Sequence, residues 1–319
     1  MDLYNIDCIE GAKSIIKDNC IDLFICDPPF GINESSFDKH YNRSKDNLIK
    51  GYVEAPQNYY DWTVQWLEEC HRTLKPNGSM YLISGWTRLR EILNAIALVG
   101  FEVINHIIWK FNFGVWTTTK YVSSHYHILY IAKPKAKRLF NPSCRYGNQE
   151  RDGTKSLQNI DREDVWIINK DYQRESRNSN KLPNELIQKM IQYSSNQNDV
   201  VCDFFMGNFT TAYVAHGLAR KVIGFELNKE AFDYHTSKLY TLPYGYMLND
   251  LKKVVDEKPD NQGKTITQEE INSIVTDYYT CLSEGMYKKQ TNLYLQKKYG
   301  RGKFSIINII KKYVPRENQ

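Results

Sequence analysis

The residues Asp27-Pro28-Pro29-Phe30 combine a hydrogen-bond acceptor, two strand-breaking residues and an aromatic ring. The apolar run before them, residues 21–26, is typical of a buried strand. Proline can neither continue a central strand nor donate a ladder hydrogen bond, so the strand is expected to end at Asp27. Open α/β sheets bind ligands at the carboxyl ends of their strands. A carboxylate beside an aromatic face can accept an N–H from a planar amino-heterocycle and stack on its ring.

Residues 200–226 have the pattern of a ligand-binding crossover between two strands. An apolar strand over 200–203 leads into a glycine-containing loop, and a helix begins at Thr210. Glycine lets the backbone approach a ligand closely, and the N–H groups at a helix start favour an anionic group such as a carboxylate. The next strand ends at Glu226, whose carboxylate can accept hydrogen bonds from two ribose hydroxyls.

Strand and helix patterns alternate around both stretches. The predicted strands are residues 3–8 (with a turn), 21–26, 80–83, 101–110, 126–132, 165–168, 200–203 and 222–227. The predicted helices are residues 9–18, 59–74, 88–99, 184–195, 210–219 and 229–239. Residues 75–78 are predicted to form a turn, and Gly100 to end a helix. This order predicts an α/β fold with a doubly wound, mostly parallel sheet.

Together, the two stretches resemble the DNA amino-methyltransferases, which methylate the exocyclic nitrogen of adenine or cytosine with S-adenosylmethionine. Residues 27–30 are similar to the Asp-Pro-Pro-aromatic signature of that family. Residues 203–211 and 224–226 are similar to its Asp-Pro-Phe-x-Gly-x-Gly-Thr-Thr loop and Gly-x-Glu strand. Phe204 replaces the proline of the loop, and Phe209 replaces its second glycine. Because the Asp-Pro-Pro-Phe element comes first, the resemblance is to the β group, whose methyltransferase sheet is circularly permuted.

The resemblance implies a catalytic set and a cofactor-binding set of residues. The implied catalytic residues are Asp27, Pro28, Pro29 and Phe30: the Asp27 carboxylate and the Pro28 carbonyl would accept the amino N–H groups of a flipped-out base, and the Phe30 ring would stack on it. The implied cofactor-binding residues are Asp7, Cys8, Lys181, Asp203, Phe205, Gly207, Asn208, Thr210, Thr211 and Glu226. Ile6 replaces the family's glycine before Asp7, for which a surface turn is an alternative. Lys181 is shifted by one position from the family's Lys-Pro pair. No metal-ligand cluster is visible, and the reaction requires none.

The first residue of the signature bears on the target base. In this family Asp accompanies mostly adenine N6 and Ser mostly cytosine N4, so Asp27 implies adenine. Cytosine-N4 methylation remains an alternative. A further alternative is a DNA-binding protein with a degenerate cofactor pocket, because Phe204 and Phe209 depart from the family's loop.

Composition narrows the class of protein. The 319 residues, 41% hydrophobic and 25% charged, predict a globular chain with one large domain and an appendage. The net charge of +5 is compatible with a nucleic-acid partner. Seven widely spaced cysteines, none in a C-x-x-C pair, predict reduced thiols rather than disulfides or a zinc site. With no signal peptide and no apolar run near 18 residues, we expect a cytoplasmic protein encoded by a bacterium or phage.

Three further segments are assigned by composition and position. The polar segment 31–58 is predicted to be a lid, a binding loop or disordered. Residues 135–178 contain ten Lys or Arg against seven Asp or Glu, and their position matches the family's target-recognition region; a structural insertion is the alternative. Residues 264–319 are predicted to be helical, with a capping box at Thr267 and lysines interleaved with aromatics from Lys288 onward. A helix-turn-helix-like unit that grips DNA is expected there, with a solvated or oligomer-forming helical tail as the alternative.

The predicted domains are a catalytic half (1–134), a recognition insert (135–178), a cofactor-binding half (179–250) and a basic helical unit (264–319). The expected partners are double-stranded DNA, a cognate restriction endonuclease and a second copy of the chain.

Overall fold

The computed structural model describes residues 1–31, 55–112, 118–135, 137–169, 181–252, 254, 261 and 264–315. Most of the predicted lid or binding loop at 31–58 therefore lies outside the described residues. The chain divides into two compact units, Met1–Val254 and Val255–Gln319.

Strands and helices are labelled here in chain order over the described residues. The strands are β1 (Asp2–Tyr4), β2 (Ile21–Cys26), β3 (Leu74–Ser84), β4 (Glu102–Lys110), β5 (His125–Ala132), β6 (Arg151–Asp152), β7 (Lys155–Ser156), β8 (Val165–Ile167), β9 (Val200–Asp203) and β10 (Lys221–Phe225). The helices are α1 (Cys8–Ile15), α2 (Tyr59–Thr73), α3 (Leu89–Val99), α4 (Leu157–Asp161), α5 (Asn184–Ser194), α6 (Thr210–Gly217), α7 (Lys229–Leu239), α8 (Gln268–Ser283), α9 (Lys288–Tyr299) and α10 (Lys303–Tyr313). None of these helices combines the length and apolar character that a membrane span needs.

Eight of the described strands form one sheet in the order β1-β10-β9-β2-β3-β5-β4-β8. Neighbours run parallel except at β5, which is antiparallel to both β3 and β4. The predicted doubly wound, mostly parallel α/β sheet is therefore confirmed. Strands β2 and β9 lie side by side at its centre, where the Val200 N–H donates to the Asp22 carboxylate at 2.9 Å across 178 positions of sequence.

Each face of the sheet is covered by helices of the first unit. The core on one face includes residues of α1, α2 and α3, and the core on the other includes residues of α5, α6 and α7. Successive residues of β2 alternate between the two cores: Leu23 and Ile25 pack on the α5 face, Phe24 and Cys26 on the α1 face. Because both faces are covered, β2 has an almost continuous apolar sequence.

The predicted turn at residues 75–78 is wrong, because these residues lie inside β3. The pairing register between β2 and β3 shifts there, from Ile21 opposite Leu74 to Leu23 opposite Ser79. A Cβ added at Gly78 would lie 2.6 Å from Leu74 Cδ1 and 2.8 Å from the Asp22 carbonyl oxygen. The Pro-Asn-Gly sequence therefore marks an irregularity within a strand, where neighbouring backbone leaves no room for a side chain.

Residues 137–163 of the predicted insert contain the β6–β7 hairpin and α4. It is anchored to α5 through Asp161, which accepts from the Tyr193 hydroxyl at 2.6 Å and pairs with Arg145 at 3.0 Å and Lys189 at 3.2 Å. The boundary at 178 needs correction, because β8 pairs with β4 and belongs to the main sheet. The sequence carries a local signal for this end, because Asp164-Val165-Trp166 resembles a recurrent stretch of the family and predicts that the recognition unit stops before it.

The second unit contains α8, α9 and α10 around its own hydrophobic core. The predicted start of α8 is confirmed, because the Thr267 hydroxyl accepts from the Glu270 N–H at 3.2 Å. Gly300, in the left-handed conformation at φ +56°, ends α9.

Candidate active site

Residues 27–30 leave the carboxyl end of β2, as predicted. Pro28 is buried, and Asp27, Pro29 and Phe30 are half-buried. The Phe30 ring meets the Tyr126 ring edge to face, with centroids 5.5 Å apart. Since Tyr126 belongs to β5, the sheet itself supports the aromatic residue proposed to stack on a substrate.

The residue that follows the corner formed by residues 27–30, Gly31, is held in one conformation. Gly31 has φ +63°, and an added Cβ would lie 2.5 Å from the Tyr59 ring. The Arg88 guanidinium donates to the Gly31 carbonyl at 3.2 and 3.3 Å and lies 5.4 Å from the Tyr59 ring centroid. The starts of α2 and α3 therefore fix the path of the chain just beyond the catalytic residues.

Asp203 ends β9 and holds the start of the loop that follows. Its Oδ1 accepts from the Phe205 N–H at 2.9 Å, and the Thr211 hydroxyl donates to the same carboxylate. The side chain is only 3% exposed. Burial raises the pKa of Asp203 to about 7, with a smaller contribution from the charge of Glu226, while the two donors act in the opposite direction.

Glu226 closes the same loop from the end of β10. Its Oε2 accepts from the Gly207 N–H at 2.7 Å, and its Oε1 accepts from the Asn228 N–H at 2.8 Å. Burial raises the pKa of Glu226 as well. Asn5, directly after β1, donates to the Glu226 carbonyl at 2.7 Å. A carboxylate oxygen has more than one lone pair, so these bonds leave acceptor capacity for a ligand hydroxyl.

The two departures from the family pattern send their side chains into the cores. Phe209 adopts φ +57°, the conformation that a glycine would supply, and its buried ring stacks on His235 at 5.1 Å. Phe204 is 2% exposed and packs against Phe24 and Phe225 in the α1-face core. Left-handed backbone costs a non-glycine residue about 1–2 kcal/mol, and burying a Phe side chain contributes about 1.5–3 kcal/mol. Packing therefore offsets the strain at Phe209.

The geometry around α6 fits an amino-acid carboxylate. Gly207 has φ +49°, and a Cβ there would meet only the Phe205 carbonyl oxygen, at 4.0 Å, so this side of the loop is open. The Thr210 hydroxyl is buried and has no hydrogen-bond partner among the described residues. Buried polar groups are normally paired, and the first N–H groups of a helix have no partner within it. The Thr210 hydroxyl and the first N–H groups of α6 can therefore donate hydrogen bonds to an anionic ligand.

The remaining predicted cofactor residues lie in different surroundings. Asp7 caps α1, accepting from two backbone N–H groups of its first turn at 2.9 and 3.2 Å. The Cys8 thiol is 5% exposed and lies in the α1-face core, where burial raises its pKa, so its side chain is not a surface for ligand. The charge of Lys181 contributes to lowering the pKa of His235 to about 4, after burial and Lys238.

Strand register brings most of these residues to one edge of the sheet. Leu23 pairs with Val201 and Phe24 with Cys202, so Asp27 and Asp203 leave neighbouring parallel strands at the same edge. Strand β10 lies beside β9 and carries Glu226 to that edge. The chain runs outward in opposite directions from β2 and β9, which makes a switch point of the kind where open α/β sheets bind ligands.

Phe205 and Asn208 belong to the same loop. Phe205 packs edge to face against Trp62 and Trp66 of α2, at 5.6 and 5.2 Å. Asn208 is half-buried beside Gly207.

Sequence reasoning missed three supporting residues. Arg88 precedes α3, Tyr126 lies within β5 and Asn5 follows β1. A polar residue directly after a strand was a usable signal for Asn5. For Arg88 and Tyr126, the sequence carried no signal, because their partners lie 57 and 96 positions away along the chain.

Known proteins resemble this chain in sequence. A family model for DNA methylases (N6_N4_Mtase) matches residues 21–237. The type II methyltransferase M.BamHI of Bacillus amyloliquefaciens is 33% identical over 245 residues, covering 70% of this chain and 54% of that protein, so the chain spans about half of this relative's length. The DNA adenine methyltransferase YhdJ of Escherichia coli (strain K12) is 27% identical over 285 residues, covering 83% of this chain and 91% of that protein.

Solved structures resemble it in fold. The M1.HpyAVI–SAM complex has a TM-score of 0.50 at 22% identity, covering 74% of this chain and 98% of that one. The PvuII DNA methyltransferase, described as cytosine-N4-specific, has a TM-score of 0.53 at 19% identity, covering 89% of this chain and 93% of that one. At these identities, the likeness concerns the fold alone.

Proposed function

The chain belongs to the DNA methylase family of N6/N4 methyltransferases, and from that premise we propose that it methylates adenine N6 in double-stranded DNA, with S-adenosylmethionine as the methyl donor. The observation that carries the proposal is the pairing of β2 with β9. This pairing sets residues 27–30 beside the loop at 203–211, so that a base held by the first faces the segment proposed to hold the donor.

Residues 27–30 would hold the target base. An amino group inside a duplex is out of reach, so the nucleotide must leave the stack at a cost of a few kcal/mol. The Asp27 carboxylate and the Pro28 carbonyl would accept its two amino hydrogens, which favours a nucleophilic geometry at nitrogen. Phe30, supported by Tyr126, would stack on the ring.

The loop between β9 and α6 would hold the cofactor. When bound, S-adenosylmethionine supplies a methyl group on a positively charged sulfur, so the protein has mainly to provide positioning and electrostatics. Glu226 would accept the ribose hydroxyls, and Thr210 with the start of α6 would bind the amino-acid carboxylate. Asp203 would keep the loop in shape through its bonds to Phe205 and Thr211.

The insert would contribute to target recognition. A cavity of about 420 Å³ lies between it and the sheet, lined by Asn105, Tyr130, Arg138, Phe140, Asn159 and Arg162. The Tyr130 hydroxyl is buried and has no hydrogen-bond partner among the described residues. Two guanidiniums beside two amides suit a DNA phosphate or base edge. This supports a nucleic-acid role over a purely structural insertion.

Adenine is favoured by Asp at the first position of the signature and by the adenine specificity in the name of YhdJ. Cytosine N4 is the second candidate, since the family model covers both chemistries. The type II names of relatives such as M.BamHI favour a restriction–modification role in a bacterial or phage-encoded system, with a cognate endonuclease. That endonuclease, the homodimer and the cytoplasmic location stay predictions.

Expression in a methylation-free bacterial host, followed by sequencing that detects modified bases, tests the proposal. We expect N6-methyladenine at one short sequence across the genome, and none in a host carrying the empty vector. N4-methylcytosine would establish the second candidate. A genome with neither base, from cells that contain the folded protein, would contradict both.

A further inference from the structure

The three helices of the second unit carry separated charges. Helix α8 contains three acidic residues (Glu269, Glu270 and Asp277) and no Lys or Arg. Helices α9 and α10 contain no acidic residue and seven exposed lysines, which are Lys288, Lys289, Lys297, Lys298, Lys303, Lys311 and Lys312. Lys298 of α9 pairs with Asp277 of α8 at 2.6 Å. The α9–α10 surface is therefore strongly basic.

The connection between α9 and α10 is short and firmly anchored. It consists of residues 300–302, with Gly300 in the left-handed conformation. Arg301 is 5% exposed, and its guanidinium makes a two-pronged pair with Glu270 at 2.8 and 2.7 Å. It also donates to the carbonyls of Asn261 and Lys264. The start of α8 therefore fixes the turn. A three-residue, glycine-containing turn between two packed helices is typical of the helix-turn-helix.

Helix α10 has one face in the core and one face outside it. Ile306, Ile309 and Ile310 are buried in the core of the unit. The exposed residues include Lys303, Phe304, Asn308, Lys311 and Lys312, with Phe304 71% exposed. Lysines of this kind pair with phosphates, an Asn amide can bond an adenine edge, and an aromatic ring can contact a thymine methyl.

A second copy of the chain fits this surface poorly. Two α9–α10 surfaces brought together would oppose their lysines without acidic partners on either helix, and like charges disfavour such a contact. A polyanion neutralises the same lysines. The charge pattern therefore favours a polyanionic partner over a contact between two α9–α10 surfaces.

We propose that α9 and α10 form a DNA-binding surface in which α10 is the recognition helix, lying in the major groove of the duplex. This inference rests on the proposed function in one respect, that the substrate is duplex DNA. It adds a second site of DNA contact, made by residues outside the methyl-transfer site.

The test removes three lysines of α10 from the full-length protein, in a Lys303→Ala, Lys311→Ala, Lys312→Ala variant. Each phosphate contact contributes about 0.9 to the slope of log affinity against log salt. We expect the slope to fall by about 2.7 and duplex affinity at low salt to fall by tenfold or more. The matched control replaces Lys13, Lys17 and Lys221, exposed lysines of the first unit, and should leave the slope nearly unchanged. Equal slopes in the wild type and the α10 variant would overturn the proposal.

A second variant, Asn308→Ala, tests groove reading rather than phosphate contact. Loss of an amide bound to an adenine edge should reduce discrimination between the modified sequence and unrelated duplexes by roughly tenfold, with the salt slope unchanged. Undiminished discrimination would refute the recognition-helix assignment.

S-adenosylmethionine binding and genome methylation by the wild type are measured in parallel. If the wild type methylates DNA and the α10 variant keeps its slope, only this inference fails. If the wild type binds duplex DNA through α10 but transfers no methyl group, the proposed function fails instead.

Discussion

At the scale of single residues, Asp203 and Glu226 act first on the protein itself. Together they bind the N–H groups of Phe205, Gly207 and Asn228, so the cofactor loop is shaped before any ligand arrives. Burial raises the pKa of both carboxyl groups, and the charge of Glu226 adds a smaller rise to the pKa of Asp203. Because the loop is already ordered, less conformational entropy is lost when a ligand binds.

The Asp203→Asn variant tests this buried acid. Because the folded-state pKa is about 7 and the ordinary value is 3.8, the folded protein binds the proton more tightly. The contribution of protonated Asp203 to the free energy of unfolding is therefore fully present below about pH 4 and is lost as the pH rises through about 7. We expect the wild type to lose more unfolding free energy than the variant between pH 4.5 and pH 8 in urea titrations. Asp233→Asn, at an exposed position, is the control, and identical pH slopes in all three proteins would refute the raised pKa.

Replacing Asp27 with Ala tests the catalytic corner. Loss of one positioned acceptor should lower the methylation rate by about two orders of magnitude, while S-adenosylmethionine affinity by calorimetry changes little. Asp233→Ala, a surface carboxylate on α7, should leave the rate unaltered. An undiminished rate in Asp27→Ala would show that Asp27 has been wrongly assigned.

At the scale of elements, the corner after β2 depends on its fit against α2. Gly31 and Gly153 share left-handed backbone, at φ +63° and +57°, but only Gly31 faces a close neighbour, the Tyr59 ring. The two glycines therefore separate backbone strain from steric conflict.

Replacing each glycine with Ala gives a matched pair. Gly153→Ala should cost only the strain of about 1–2 kcal/mol. Gly31→Ala must also displace Tyr59, so we expect a larger loss of unfolding free energy and a lower methylation rate. Chemical unfolding and single-turnover methylation measure the two effects. An equal loss of unfolding free energy in both variants would mean that α2 moves freely to make room and does not hold the corner.

At the scale of the whole molecule, the two proposed ligands meet different electrostatic surroundings. The cofactor residues Asp203 and Thr210 are each 3% exposed, and buried interactions are little screened by salt. The lysines of α9 and α10 are exposed, and phosphate contacts release counterions.

Raising the salt concentration should therefore separate the two affinities. Between 50 and 200 mM NaCl, we expect duplex affinity to fall by several orders of magnitude if six or more phosphates are contacted, whereas S-adenosylmethionine affinity stays nearly constant. Fluorescence anisotropy and calorimetry measure the two constants. If both affinities fell in parallel, the cofactor site would be as strongly screened by salt as the DNA-binding surface, contrary to the proposal.

Much of the first unit could be predicted from the sequence, because its signals are local. The bounds of β2, β9 and α7 agree with the predictions, since apolar runs and helical spacing act over a few residues. The α/β sheet and the methyltransferase family are confirmed. The turn predicted at 75–78 failed because the Pro-Asn-Gly signal does not reveal that a neighbouring strand, β2, pairs on both sides of it.

The sequence by itself determined the chemical groups: one acidic residue at the end of β2 and two more at the ends of β9 and β10. Residue types and strand ends can be predicted from a few neighbouring residues. Only the tertiary structure decided that these ends are neighbours, since parallel pairing joins segments almost 180 positions apart. It likewise decided that Phe209 could stand in for a glycine. The free energy that offsets its backbone strain comes from packing on α7, which no local pattern encodes.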